Sequence, residues 1–152
     1  MIRLIISDCD GVLTDGKLYY GAEGEVLKVF NVKDGTAIKV LMSEGVKFGV
    51  VSGRGSAALL RRTEELGLDF CQMNISDKAE AVAALREQYG VAVHETLFVG
   101  DDTNDCVVRS ECGHLYAVND AAQALLEICD VQLNTKGGAG VFKEVLKRIH
   151  GN

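Results

Sequence analysis

The sequence predicts an α/β fold: a doubly wound parallel sheet with helices on both faces and a β-hairpin flap after the first strand. Three observations predict it. Short runs rich in β-branched residues alternate with amphipathic helical stretches along the chain. The strand-like runs show no polar alternation, as expected of strands covered on both faces. One stretch, Lys17 to Phe30, breaks the rhythm with a hairpin pattern.

The elements follow in order. Ile2-Arg3-Leu4-Ile5-Ile6-Ser7 is the first strand. The hairpin pairs Lys17–Tyr20 with Glu25–Phe30 across the turn Gly21-Ala22-Glu23-Gly24. A helix from Asp34 to Glu44 sets Ile38, Leu41 and Met42 on one face. Val46 to Ser52 is the second sheet strand, followed by a helix over Ser56–Leu66. Asp77 is a fitting N-cap for a helix reaching Tyr89, with Val82, Leu85 and Tyr89 in one stripe. Thr96–Gly100 is the next strand, with shorter ones at Leu115–Val118 and Val131–Leu133. Helices over Ala121–Cys129 and Val141–Ile149 complete the set. No repeat or linker interrupts residues 1–152, which read as one domain.

Composition narrows the function. The net charge of −6 is the reverse of what a nucleic-acid binder needs. No apolar run is long enough to span a membrane. The N-terminus passes straight into the first strand, so no secretory signal is expected. The five cysteines are odd in number and scattered without a CxxC, so neither a zinc site nor a disulfide framework is suggested, and buried thiols in a reducing cytoplasm are expected. His94, His114 and His150 lack ligand spacing.

In a Rossmann-like sheet of this kind, ligands bind beyond the carboxyl ends of the strands. Three polar clusters end there: Asp8-Cys9-Asp10-Gly11, Ser52-Gly53-Arg54 and Gly100-Asp101-Asp102. Asp8 and Asp10 cannot both ionise cheaply past a buried strand without a cation. With Asp101, Asp102 and Asp105 they form an oxygen-rich set suited to Mg2+. Ser52 offers a hydroxyl to a phosphate oxygen, and Lys78 offers a charge. A carboxylate nucleophile, Mg2+, a hydroxyl and a lysine together describe phosphoryl transfer.

These clusters resemble the four motifs of the haloacid dehalogenase superfamily of phosphatases. Asp8 to Gly16 is similar to the first, Ser52-Gly53-Arg54 to the second, Lys78 to the third and Gly100 to Asp105 to the fourth. The spacings leave no room for a cap domain. Asn31-Val32-Lys33-Asp34-Gly35, Ser76-Asp77-Lys78 and Lys136 to Val141 further resemble the capless 3-deoxy-D-manno-octulosonate 8-phosphate (KDO 8-phosphate) phosphatase family.

The resemblance implies roles by position. Asp8 is the nucleophile that becomes an aspartyl-phosphate. Asp10 is the proton donor and then the base, with its backbone carbonyl on Mg2+. Asp101 is the third metal ligand, supported by Asp102 and Asp105. Ser52 and Lys78 complete the catalytic set. Substrate contacts fall on Asp10, Asn31, Val32, Lys33, Asp34, Gly35, Lys39, Arg54, Arg62 and Lys78. Lys33 stands where the family often has Arg, and Ser52 where Thr is commoner. The partners implied are a small sugar-acid phosphate and further copies of the chain, as a homotetramer whose sites are closed by neighbours, in the cytoplasm.

Three other readings compete. A 9-carbon nonulosonate phosphate (KDN or sialic acid 9-phosphate) is a rival substrate, against which Arg54 counts because relatives acting on it can carry Glu there. A phospho-receiver domain shares the acidic cluster, hydroxyl and lysine, but expects its phosphorylated Asp after a later strand. A non-catalytic assembly module is opposed by the complete set of Asp8, Asp10, Lys78 and Asp101.

Overall fold

The computed structural model describes residues 1–151. Six parallel strands form one sheet in the order β5-β4-β1-β6-β7-β8. These are β1 (Leu4–Ser7), β4 (Lys47–Val51), β5 (Phe70–Gln72), β6 (Thr96–Gly100), β7 (His114–Ala117) and β8 (Val131–Gln132). A separate antiparallel hairpin, β2 (Tyr19–Gly21) and β3 (Gly24–Leu27), follows β1. The helices are α1 (Val32–Ser43), α2 (Ala57–Leu66), α3 (Lys78–Tyr89), α4 (Gln123–Leu126) and α5 (Val141–Ile149).

The lack of polar alternation in the strands has its cause in two separate cores. Ile5, Phe48, Val50, Leu97 and Val99 face one, shared with α1, α2 and α5. Leu4, Ile6, Val51 and Phe98 face the other, shared with α3 and α4. Successive strand residues thus point to opposite faces, and both faces are buried. Asn31, Ser56 and Asp77 cap α1, α2 and α3 with their side chains. α5 has no cap from its own N-cap residue, Gly140. Its Phe142 N–H instead donates to Asp34 Oδ1 of α1 at 2.9 Å.

The structure departs from the sequence reading in three places. β5 was not expected; a three-residue strand is too short to show periodicity. Thr103–Glu111 is a 3-10 helix where only an acidic cluster was read. The helix expected over Ala121–Cys129 contracts to Gln123–Leu126, and its N-cap Ala122 supplies no side-chain hydrogen bond.

β1 lies centrally, paired in register with β4 and β6. The residues just past these three strands, Asp8, Ser52 and Asp101, therefore emerge side by side. Two are held by the neighbouring strand: Asp8 N–H donates to Val99 O at 3.0 Å and Ser52 N–H to Gln72 O at 2.8 Å.

Candidate active site

A cleft of about 220 Å3 opens at this edge. Asp8, Asp10, Ser52, Arg54, Lys78, Asp101 and Asp102 line it. The turn after β1 is closed by the Cys9 carbonyl, which accepts from the N–H groups of Val12, Leu13 and Thr14. Gly11 adopts φ +86° there, and a Cβ on it would overlap the Asp101 carboxylate.

Asp8 is buried at the base, its Oδ1 accepting from Cys9 N–H at 2.7 Å. Lys78 Nζ lies 3.3 Å from Asp8 Oδ2 and 2.6 Å from Asp105 Oδ1. Lys78 is the first residue of α3, where a cation opposes the helix dipole. Burial pulls its ammonium pKa down, but the Asp8 and Asp105 carboxylates outweigh that and leave it raised. Asp105 is fully buried. Its Oδ2 accepts from the Asp101 and Asp102 N–H groups at 3.0 and 3.2 Å.

Asp8, Asp101 and Asp105 bring a carboxylate oxygen each to within 4.8 Å of one another. Burial, then the Asp105 charge, pushes the Asp8 carboxyl above the usual range. Burial and the Asp8 charge push Asp101 up as well. Asp101 Oδ1 is buried without a hydrogen-bond partner among the described residues. An orphaned carboxylate oxygen facing another carboxylate fits a hard cation such as Mg2+. Asp105 uses both oxygens on Lys78 and the backbone, so it supports the site, while Asp101 Oδ1 is the carboxylate oxygen of this cluster left without a partner among the described residues.

Asp10 keeps its carboxylate out of this cluster. Its Oδ1 accepts from Lys28 Nζ at 2.7 Å, and Lys28 also donates to Glu25 Oε2 at 3.1 Å. Arg54 lies at the mouth, 4.0 Å from both Asp10 Oδ2 and Glu25 Oε2. Ser52 Oγ accepts from Arg54 N–H at 3.2 Å, which shapes the turn into the cleft. Glu25 and Lys28 were not singled out in the sequence. The one signal there was an acid and a base three residues apart in an otherwise apolar hairpin strand.

The remaining expected substrate contacts do not line the cleft. Asn31 caps α1 and donates to Gly138 O at 3.2 Å. Val32 is exposed beside it. Lys33 borders a separate hollow of about 560 Å3 with Lys143, Lys147 and Arg148. Asp34 is buried in its α5 contact. Gly35 lies against the guanidinium of Arg62, which pairs with Glu65 at 2.8 Å. Lys39 is exposed on α1.

The sheet and its acidic cleft define a phosphatase of the haloacid dehalogenase type, and residues 73–145 match the model of the haloacid dehalogenase-like hydrolase family. Similarity narrows this further. The chain is 41% identical over 148 residues to the KDO 8-phosphate phosphatase of Haemophilus influenzae, covering 97% of this chain and 82% of that protein. It is 36% identical over 144 residues to the Escherichia coli K12 enzyme, covering 95% and 77%. The cobalt-bound H. influenzae structure superposes with a TM-score of 0.95 at 40% identity, covering 99% of this chain and 88% of that one. The Moraxella catarrhalis enzyme, solved with magnesium, phosphate and KDO, gives 0.94 at 31% identity, covering 99% and 86%. The chain belongs to the KDO 8-phosphate phosphatase family.

Proposed function

We propose that this chain hydrolyses KDO 8-phosphate to KDO and inorganic phosphate, through an aspartyl-phosphate on Asp8. The observation that carries the reading is Asp8 itself: a buried carboxylate at the base of the cleft, 3.3 Å from Lys78. The Asp8 and Asp101 carboxylates and the Asp10 backbone carbonyl would hold Mg2+, which when bound would supply positive charge beside the phosphoryl group.

The chain's own residues do the rest. Lys78 and the Ser52 hydroxyl hold the phosphoryl group against Asp8. An Asp8 oxygen attacks phosphorus, the ester P–O bond breaks, and its electron pair leaves on the sugar oxygen. Asp10 donates a proton to that oxygen. Asp10 then takes a proton from water, whose oxygen attacks phosphorus and releases the Asp8 carboxylate. Arg54, at the mouth and 45% exposed, gives the sugar carboxylate a planar partner.

Residues 1–152 act in this reading as one capless domain. Asn31 to Gly35, Lys39 and Arg62 lie outside the chain's own cleft, which supports a homotetramer in which a neighbour brings them to a site. Exposed Leu18, Tyr20, Val26, Leu27 and Val29 on the hairpin supply apolar surface for that contact. Five free cysteines suit a reducing cytoplasm.

The test is phosphate release with Mg2+ from KDO 8-phosphate and from a 9-carbon nonulosonate 9-phosphate, with Asp8→Asn as control. The 8-carbon ester should be preferred, and Asp8→Asn should remove turnover while the protein stays folded. Preference for the 9-carbon ester would overturn the substrate, and turnover by Asp8→Asn would overturn the covalent route. Sedimentation as a single chain at micromolar concentration would overturn the tetramer.

A further inference from the structure

The hairpin reaches back to Asp10 at the edge of the cleft. Lys28, just past β3, puts Nζ on Asp10 Oδ1 at 2.7 Å and on Glu25 Oε2 at 3.1 Å. The Lys28 side chain is only 4% exposed and that of Glu25 only 17%. Among the described residues, Lys28 is the sole hydrogen-bond partner of the Asp10 carboxylate. The other oxygen, Oδ2, lies 4.0 Å from Arg54 Nε, beyond hydrogen-bond reach. One oxygen of Asp10 is therefore pinned, and the other is left to the cleft.

We propose that Lys28, held in turn by Glu25, is a positioning residue for proton transfer: it fixes Asp10 Oδ1 so that Oδ2 meets the departing sugar oxygen. The inference rests on Asp10 being the acid and base. Oδ2 gives its proton to the sugar oxygen as the P–O bond breaks, and later takes one from the attacking water. Lys28 keeps its own protons throughout. A substrate-binding role fits Lys28 less well: the side chain is covered and two of its three N–H groups are committed to Asp10 and Glu25. A carboxylate on a surface turn has free rotation about its side-chain bonds, and proton transfer is sensitive to misplacement of about 1 Å.

Leaving-group dependence separates this role from packing. A sugar alkoxide needs a proton to depart, whereas p-nitrophenolate does not. Lys28→Met keeps the buried stem and removes the charge. Its kcat/KM should fall about 10- to 100-fold on KDO 8-phosphate and less than about 3-fold on p-nitrophenyl phosphate. Lys28→Arg should recover most of the loss, and Glu25→Gln should show the same pattern at smaller amplitude. Equal losses on both esters, for Lys28→Met or for a well-folded Glu25→Gln, would overturn the proposal. Asp10→Asn is measured alongside. If it discriminates between the esters and Lys28→Met does not, only the Lys28 role fails. If Asp10→Asn loses equally on both, the acid–base reading of Asp10 fails, and the Lys28 role with it.

Discussion

Gly11 and Asp101 come so close that a Cβ on Gly11 would overlap Asp101 Oδ2. Gly11 also holds φ +86°, a left-handed conformation that costs other residues about 1–2 kcal/mol. Gly11→Ala should therefore lower Tm by roughly 3–8 °C and move Asp101. The Mg2+ concentration giving half-maximal activity should rise at least about tenfold. Gly24→Ala is the comparison: φ is +109°, with nothing within 4 Å of the new methyl. It should lose stability alone. Thermal melts and Mg2+ titrations of both variants check this, and an unchanged Mg2+ response in Gly11→Ala would contradict it.

Exhaustive chelation should abolish turnover, and Mg2+ should restore it. The melting temperature carries a further expectation. Asp8 and Asp101 both have raised carboxyl pKa values, mainly through burial. The folded state thus binds these protons more tightly than the unfolded state. Without metal, their contribution to stability is greatest at low pH and is lost as pH rises past the ordinary carboxylate range toward the raised values. Mg2+ should accordingly raise Tm more at about pH 8 than at about pH 5.5. A shift of equal size at both would be the contrary result.

Asp34 offers a second pH dependence, away from the cleft. Burial pushes its carboxyl up to about 6, against the opposing Phe142 N–H and the Arg62 charge. Here too, stability present at low pH is lost as pH rises from about 4 through 6, by roughly 3 kcal/mol. Asp34→Asn keeps an acceptor for Phe142 and removes the charge. It should be more stable than the parent at about pH 8 and gain nothing at about pH 5, as denaturant melts at both will read.

Arg54→Ala should lower kcat/KM for sugar-acid phosphates by about 10- to 150-fold, the worth of hydrogen bonds to a charged partner. It should barely change hydrolysis of p-nitrophenyl phosphate, which has no carboxylate. Equal losses on both would assign Arg54 to the phosphate or to the fold.

The base of the site was legible because Asp8, Ser52 and Asp101 each directly follow a buried strand. Strand ends are readable from local apolar runs, and parallel pairing then brings them together. Lys78 is harder: only its place after the Asp77 cap and the resemblance marked it. Lys28 and Glu25 stayed hidden because their contact with Asp10 depends on the path of the hairpin, a tertiary fact with no local period. Asp34 was read as a substrate contact from its place in Asn31–Gly35; within this chain its Oδ1 accepts from Phe142 N–H at the start of α5, a contact the sequence did not mark. Nothing in the neighbouring residues of α1 records a partner so distant in the chain.

That distance bears on when the site can exist. Gly137 and Gly138 pack against the turn from Gly11 to Asp15, where a Cβ would meet backbone. Asn31 bonds to Gly138 across 107 positions, and Asp34 to Phe142 across 108. During synthesis Asp8 leaves the ribosome about 130 residues ahead of the Gly137–Gly138 loop that supports its turn. At about 5–20 residues per second, the nascent Asp8 turn waits several seconds for that buttress. The cleft is thus completed only once the Gly137–Gly138 loop and α5 have emerged, and a nascent chain short of them carries Asp8 without the means to hold its turn.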